Sequence, residues 1–106
     1  MSLLLTHEVK RRLRRVILQL VYENQESQRH RLDDITLHSA LDRLHHDVSR
    51  NGVRTVLQDL RERGFLRFVS EKNVDTGKVA LRKIEITPGG RDIVEGTKQD
   101  PAVEPE

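Results

Sequence analysis

The stretch Ser49-Arg50-Asn51-Gly52-Val53-Arg54-Thr55-Val56-Leu57-Gln58-Asp59-Leu60-Arg61-Glu62-Arg63-Gly64 decides how the rest of the chain is read. Both of its ends carry helix signals. The Ser49 hydroxyl can accept from an otherwise unpaired N–H of a first turn, and Gly64 suits the left-handed position just past a last turn. Arg61 and Arg63 favour the negative end of a helix dipole. Val53, Val56, Leu57 and Leu60 recur at helical spacing as one apolar stripe. Arg50, Asn51, Arg54, Thr55, Gln58 and Arg61 fall on the remaining surface. Guanidinium, amide and hydroxyl groups are the chemistry that contacts phosphates and base edges. The pattern predicts a capped helix over 49–63 and makes it a candidate recognition helix.

Upstream, residues 3–25 read as a long first helix. Leu5, Val9, Leu13, Val16, Ile17 and Leu20 share a face with Val21 beside them, and Lys10, Arg11, Arg12, Arg14 and Arg15 take the opposite face. That basic run is a solvated surface, a phosphate contact or the docking face for an acidic partner. Glu23 to Arg31 has no apolar period and reads as a loop. Leu32 to Ile35 is a short strand or the entry to a second helix, for which Asp33, Asp34 and Thr36 compete as N-cap. Leu37, Ala40, Leu41 and Leu44 form that helix's stripe. It ends near His45-His46-Asp47, and Val48 turns inward. The connection to Ser49 is short, as a helix-turn-helix requires.

Downstream, the pattern changes from helical to strand-like. Phe65-Leu66-Arg67-Phe68-Val69 reads as a strand and Asn73 to Gly77 as a turn. Lys78 to Ile86 reads as the returning strand, with a slip in alternation that predicts a bulge near Arg82-Lys83. Thr87-Pro88 opens a short last helix that packs through Ile93 and Val94. From Thr97 onward little can be buried, so residues 97–106 are expected to form a disordered acidic tail after a domain spanning 1–96.

Composition narrows the class. Of 106 residues, 3% are aromatic, so the core must be Leu, Ile and Val, and a core this modest gains from dimerisation. With no cysteine, disulfides and thiolate zinc sites are excluded. No apolar run approaches a membrane span and no signal peptide is evident. A cytoplasmic protein is expected. Residues 1–67 carry 13 Lys or Arg against 9 Asp or Glu, and residues 68–106 carry 6 against 8, so the basic character sits in front. His38, Asp42 and His45 are spaced i, i+4, i+7 with His46 adjacent, which could hold Zn²⁺ or Ni²⁺. No fourth ligand is identifiable, and a polar outer face explains the spacing, so neither metal nor cofactor is expected. No nucleophile elbow, phosphate loop or paired-carboxylate arrangement appears, and an enzyme is not expected.

Three helices, a two-stranded hairpin and a closing helix, in that order, resemble a winged helix-turn-helix domain over about residues 5–96. The passage from Ser49 through Gly64 into Phe65-Leu66 is similar to the step from recognition helix through Gly to strand in MarR- and PadR-like regulators. Ile86-Thr87-Pro88-Gly89-Gly90-Arg91 is similar to their Leu-Thr-x-x-Gly passage into the last helix. The run from His46 to Leu60, with the Thr87 and Gly90 segment, also resembles a family of small proteins of Mu-like bacteriophages and prophages, mostly of unassigned function.

The resemblance implies an α+β, mostly α fold in a bacterial host cell. It implies a transcriptional regulator that reads double-stranded DNA by placing helix 49–63 in the major groove and the 71–78 wing along an adjacent groove or the backbone. Arg50, Asn51 and Arg54 would reach base edges, Thr55, Gln58 and Arg61 would add contacts, and Lys72, Asn73 and Lys78 would act from the wing. A homodimer through the N-terminal helix, using Leu3 and Leu4, would double the phosphate contacts. The alternative is a winged-helix adaptor that binds protein and not DNA.

Overall fold

The computed structural model describes residues 6–27 and 32–105. Helix α1 spans His7–Glu26, α2 Asp34–Arg43 and α3 Arg50–Glu62. Strands β1 (Leu66–Lys72) and β2 (Val79–Ile86) follow, and α4 runs Pro88–Glu95. The fold is α+β and mostly helical, with four helices and one two-stranded antiparallel hairpin among the described residues.

Every helix starts on a side-chain cap. Thr6, Asp33, Ser49 and Thr87 accept from the amides of Val9, Thr36, Gly52 and Gly90 at 3.3, 2.7, 3.0 and 3.1 Å. Each such cap contributes about 1 kcal/mol. Among the three candidates for the second helix, Asp33 takes the position. Gly64 has φ +82°, the left-handed conformation that its place after α3 requires. His45 ends α2 in the same region at φ +63°, with the His46 amide bonded back to the Leu41 carbonyl at 2.9 Å. That tight exit lets Val48 return to the core five residues after the helix ends.

The core is aliphatic. Leu13, Ile17, Leu18 and Val21 of α1 meet Leu37 and Leu41 of α2, the whole α3 stripe, and Leu66, Leu81, Ile84 and Ile86 of the hairpin. Ile93 and Val94 close it from α4. Two apolar assignments change. Leu18 is fully buried although it lies off the stripe read from the sequence, because α1 is packed by α3, α4 and β2 together and so buries a broader arc than one partner would. Leu44 is 52% exposed, since α2 ends at Arg43 and the chain turns away there.

The loop expected from Glu23 is still helix as far as Glu26. Its polar last turn is useful, because the Gln25 side-chain oxygen accepts the Ile86 amide at 2.8 Å. The hairpin register runs Leu66↔Ile86, Arg67↔Glu85, then Val69↔Arg82, so β2 carries one extra residue. Lys83 sits there at φ +55°, a bulge that turns Ile84 inward. The Ile84 amide then donates to the Leu32 carbonyl at 3.1 Å, an isolated bridge where a short strand had been one reading.

Two further expectations are corrected at the C-terminal end. Residues 97–105 do not trail away as a disordered tail. They fold back on α1, where Ala102 and Val103 are buried and the Glu104 amide donates to the Arg11 carbonyl. Two small apolar residues suffice because α1 offers a guanidinium to fix the backbone between them. Arg14, assigned to the solvent face, is 8% exposed and donates to the Ala102 carbonyl at 2.9 Å and to Asp59 of α3 at 2.5 Å. Arg15 caps α4 by donating to the Ile93 and Val94 carbonyls. Much of the basic face of α1 is therefore internal structure. Leu3, Leu4 and Leu5 lie outside the described residues.

Tyr22 links α1 to α4. Its hydroxyl donates to Glu95 at 2.9 Å, and the Arg91 guanidinium, paired with Glu26, stacks on its ring. The hydrogen bond to Glu95 raises the phenol above its ordinary value. As this is the one tyrosine of a chain without tryptophan, an ultraviolet titration reads it directly. We expect a midpoint above the ordinary value of about 10, moving down in Glu95→Gln. A raised pKa favours the neutral phenol in the fold, so this contribution is complete below about pH 10 and is lost as pH rises through the folded midpoint.

Candidate nucleic-acid interface

Helix α3 separates its two faces cleanly. Val53, Val56, Leu57 and Leu60 are buried, while Arg50, Asn51, Thr55, Gln58 and Arg61 are exposed. Near its N-terminus, Ser49, Arg50, Asn51 and Arg54 line an open groove of about 660 Å³ with Gly77, Lys78 and Val79 of the hairpin. The fold thus brings the first turns of α3 and one side of the hairpin tip together.

The nine residues singled out from the sequence are not equivalent. No side-chain hydrogen bond or ion pair among the described residues holds Arg50, Asn51, Gln58, Lys72 or Lys78. Thr55 donates its hydroxyl to the Asn51 carbonyl at 2.9 Å, keeping its oxygen as an acceptor. The Arg61 guanidinium lies over the Phe68 ring, 4.5 Å from its centroid, which holds it near β1. The Asn73 side-chain oxygen accepts from the Asp75 and Thr76 amides at 2.9 and 3.2 Å, so it shapes the tip turn. Arg54 is spent inside the chain. Its Nε donates to Asp34 at 2.8 Å and its Nη2 to the Val79 carbonyl.

Asp34 is the participant that sequence reasoning missed. Its residue type suggested only a helix cap, and nothing in a single chain marks a carboxylate 20 positions from its partner. Lys10 is the other. It lines a small cleft with Arg14, Thr55, Gln58 and Glu62 between α1 and α3, so one lysine of the basic run borders the exposed side of α3.

Acidic groups interrupt the surface. Glu62 is exposed at the end of α3, whereas Glu71 and Glu85 pair across the hairpin with Arg82 and Arg67 at 3.3 and 3.0 Å. Val74 at the hairpin tip is 94% exposed. A separate cleft of about 550 Å³ lies beneath the C-terminal segment, among Arg11, Arg15, Ile93 and Val94, and shares no residue with the groove beside α3.

His38 donates Nε2–H to the Val48 carbonyl at 2.9 Å, tying α2 to the turn that follows it. Among the described residues, no three His, Asp or Glu side chains converge as metal ligands. No helix among them is long and apolar enough to cross a membrane. Comparison of the chain with family models, with curated proteins and with solved structures found no match.

Proposed function

We propose that this is a winged-helix protein that binds duplex DNA as a transcriptional regulator of the phage or prophage type. In this reading α3 enters the major groove and the β1–β2 hairpin is the wing. The observation that carries the proposal is the state of α3: its apolar stripe is buried while Arg50, Asn51 and Gln58 stand exposed with no side-chain hydrogen bond or ion pair among the described residues. Lys78 lines the same groove from the hairpin. Asn51 matches the donor–acceptor edge of adenine and Arg50 that of guanine, or either can hold a phosphate.

A duplex-binding titration at several salt concentrations tests this. Affinity should fall steeply with salt, and Arg50→Ala and Lys78→Ala should each lower the logarithmic slope by about 1 if they meet phosphates. Asn51→Ala should cost about 1–3 kcal/mol at a selected site and relax its sequence preference. Absence of duplex binding at low salt would overturn the proposal. It would favour the winged-helix adaptor, a reading supported by the mixed charge of the hairpin and the exposed Glu62. A homodimer belongs to the DNA reading. Val9, Val16 and Leu20 already pack on the chain's own core, so the contact between copies would draw on residues before Thr6.

A further inference from the structure

We infer that Arg54 is a positioning residue, a brace that sets how far the wing stands from the recognition helix and so aligns two separate contacts on the duplex. This deepens the DNA reading and rests on it.

Three elements converge on one guanidinium. Asp34 is the first residue of α2, Arg54 lies in α3, and Val79 is the first residue of β2, directly after Lys78. Arg54 Nε is 2.8 Å from Asp34 Oδ2, and Nη2 donates to the Val79 carbonyl. The planar fork of arginine can serve both acceptors in fixed directions, which a lysine ammonium cannot reproduce. The brace therefore ends one residue from the lysine assigned to the backbone contact. It starts within a turn of Arg50 and Asn51.

The pair is not explained by stability. Asp34 is 3% exposed, and its Oδ1 is one of two buried side-chain polar atoms without a partner among the described residues. A buried ion pair with an unsatisfied oxygen is commonly matched or bettered by an apolar pair of similar volume. Nor can Arg54 readily turn to a base. Doing so would leave the Asp34 carboxylate buried and uncompensated, a penalty larger than one base contact returns. Its side chain is 26% exposed, beside neighbours on α3 that stand in solvent.

The test is a double-mutant cycle on duplex affinity between Arg54→Met and Lys78→Ala, with the apolar pair Asp34→Leu/Arg54→Met as the background that protects folding. In the parent, Lys78→Ala should weaken binding about tenfold, and in either Arg54→Met background less than about twofold, because the wing is no longer held in register. Arg54→Lys should behave like Arg54→Met. The apolar pair should unfold no earlier in urea than the parent while binding DNA more weakly. Independent costs for Arg54→Met and Lys78→Ala would overturn the inference and make Arg54 a direct contact. So would undiminished binding by the apolar pair. If the parent binds no duplex at low salt, the DNA reading falls and the inference with it.

Discussion

Gly90→Ala is expected to destabilise the protein by at least about 2 kcal/mol, seen as a lower urea midpoint with an unchanged slope. A Cβ built there would collide with the Phe65 carbonyl oxygen and lie 2.8 Å from Ile86 Cγ1. Neither neighbour can yield easily. The Phe65 carbonyl accepts the Thr87 amide at 3.1 Å, and the Thr87 hydroxyl donates to the Gly64 carbonyl at 2.5 Å. The first turn of α4 is thereby seated on the corner between α3 and β1. Overpacking against fixed backbone costs about 3 kcal/mol, while alanine recovers about 1 kcal/mol of helix propensity, so the clash wins. Neighbouring glycines provide the controls. Gly64→Ala meets open space at φ +82° and should cost about 1 kcal/mol of backbone strain. Gly89→Ala places its Cβ 3.3 Å from the Gly64 carbonyl oxygen, a contact that should cost less than Gly64→Ala. A Gly90→Ala protein as stable as Gly89→Ala would show that α4 can move off this corner.

That corner explains why the order of elements was legible in the sequence. Caps and breakers are local signals, and Ser49, Gly64, Thr87 and Pro88 act within a few residues of themselves. The apolar stripe of α3 was equally plain, because every residue at its period is buried. The segment Ile86 to Arg91 has a structural role that the residues alone did not supply. Thr87 caps the helix and clasps Gly64, and Gly90 makes room for the Phe65 carbonyl.

What stayed hidden is what charged side chains do across long sequence separations. Arg14, Arg15, Arg54 and Arg61 all read as surface residues, because periodicity places a side chain on a face without saying what lies opposite. Arg14 is met by α3 and the C-terminal segment, Arg15 by the end of α4, Arg54 by α2 and β2, and Arg61 by Phe68. Arginine suits such sites, from the buried Arg14 to the exposed Arg61, because its stem packs as hydrocarbon and its head is weakly hydrated. A count of basic residues thus overstated the cations available to a polyanion. Arg50, Asn51, Gln58, Lys72 and Lys78, exposed and without a side-chain hydrogen bond or ion pair among the described residues, are the narrower set on which the proposed duplex contact would draw, with Lys10 at the margin.

The second large effect is expected at Asp59. Arg14 joins Asp59 of α3 to the Ala102 carbonyl of the C-terminal segment, and Asp59 also receives Arg63 at 3.3 Å. Asp59→Ala leaves the buried Arg14 with only the Ala102 carbonyl as a partner among the described residues. Removing one member of a buried pair costs about 3–5 kcal/mol, and water reaching Asp59, whose side chain is 28% exposed, reduces that to about 2–3 kcal/mol. Arg14→Met should cost only about 1 kcal/mol. It keeps an apolar stem in the same space, and the carboxylate it abandons still has Arg63 and solvent. The double variant should cost less than the sum of the two, because each single change breaks the same interaction. The C-terminal segment supplies an independent readout. With Arg14 replaced, residues 98–105 keep, among the described residues, the Lys98 amide bond to the Asp92 carbonyl, the Glu104 amide bond to Arg11, the outlying Arg12–Glu104 pair and the burial of Ala102 and Val103. Trypsin should then cut after Lys98 faster in Arg14→Met than in the parent, under conditions where both remain folded. Equal and additive costs at the two positions, with unchanged cleavage at Lys98, would mean that Arg14 does not couple α3 to the C-terminal segment.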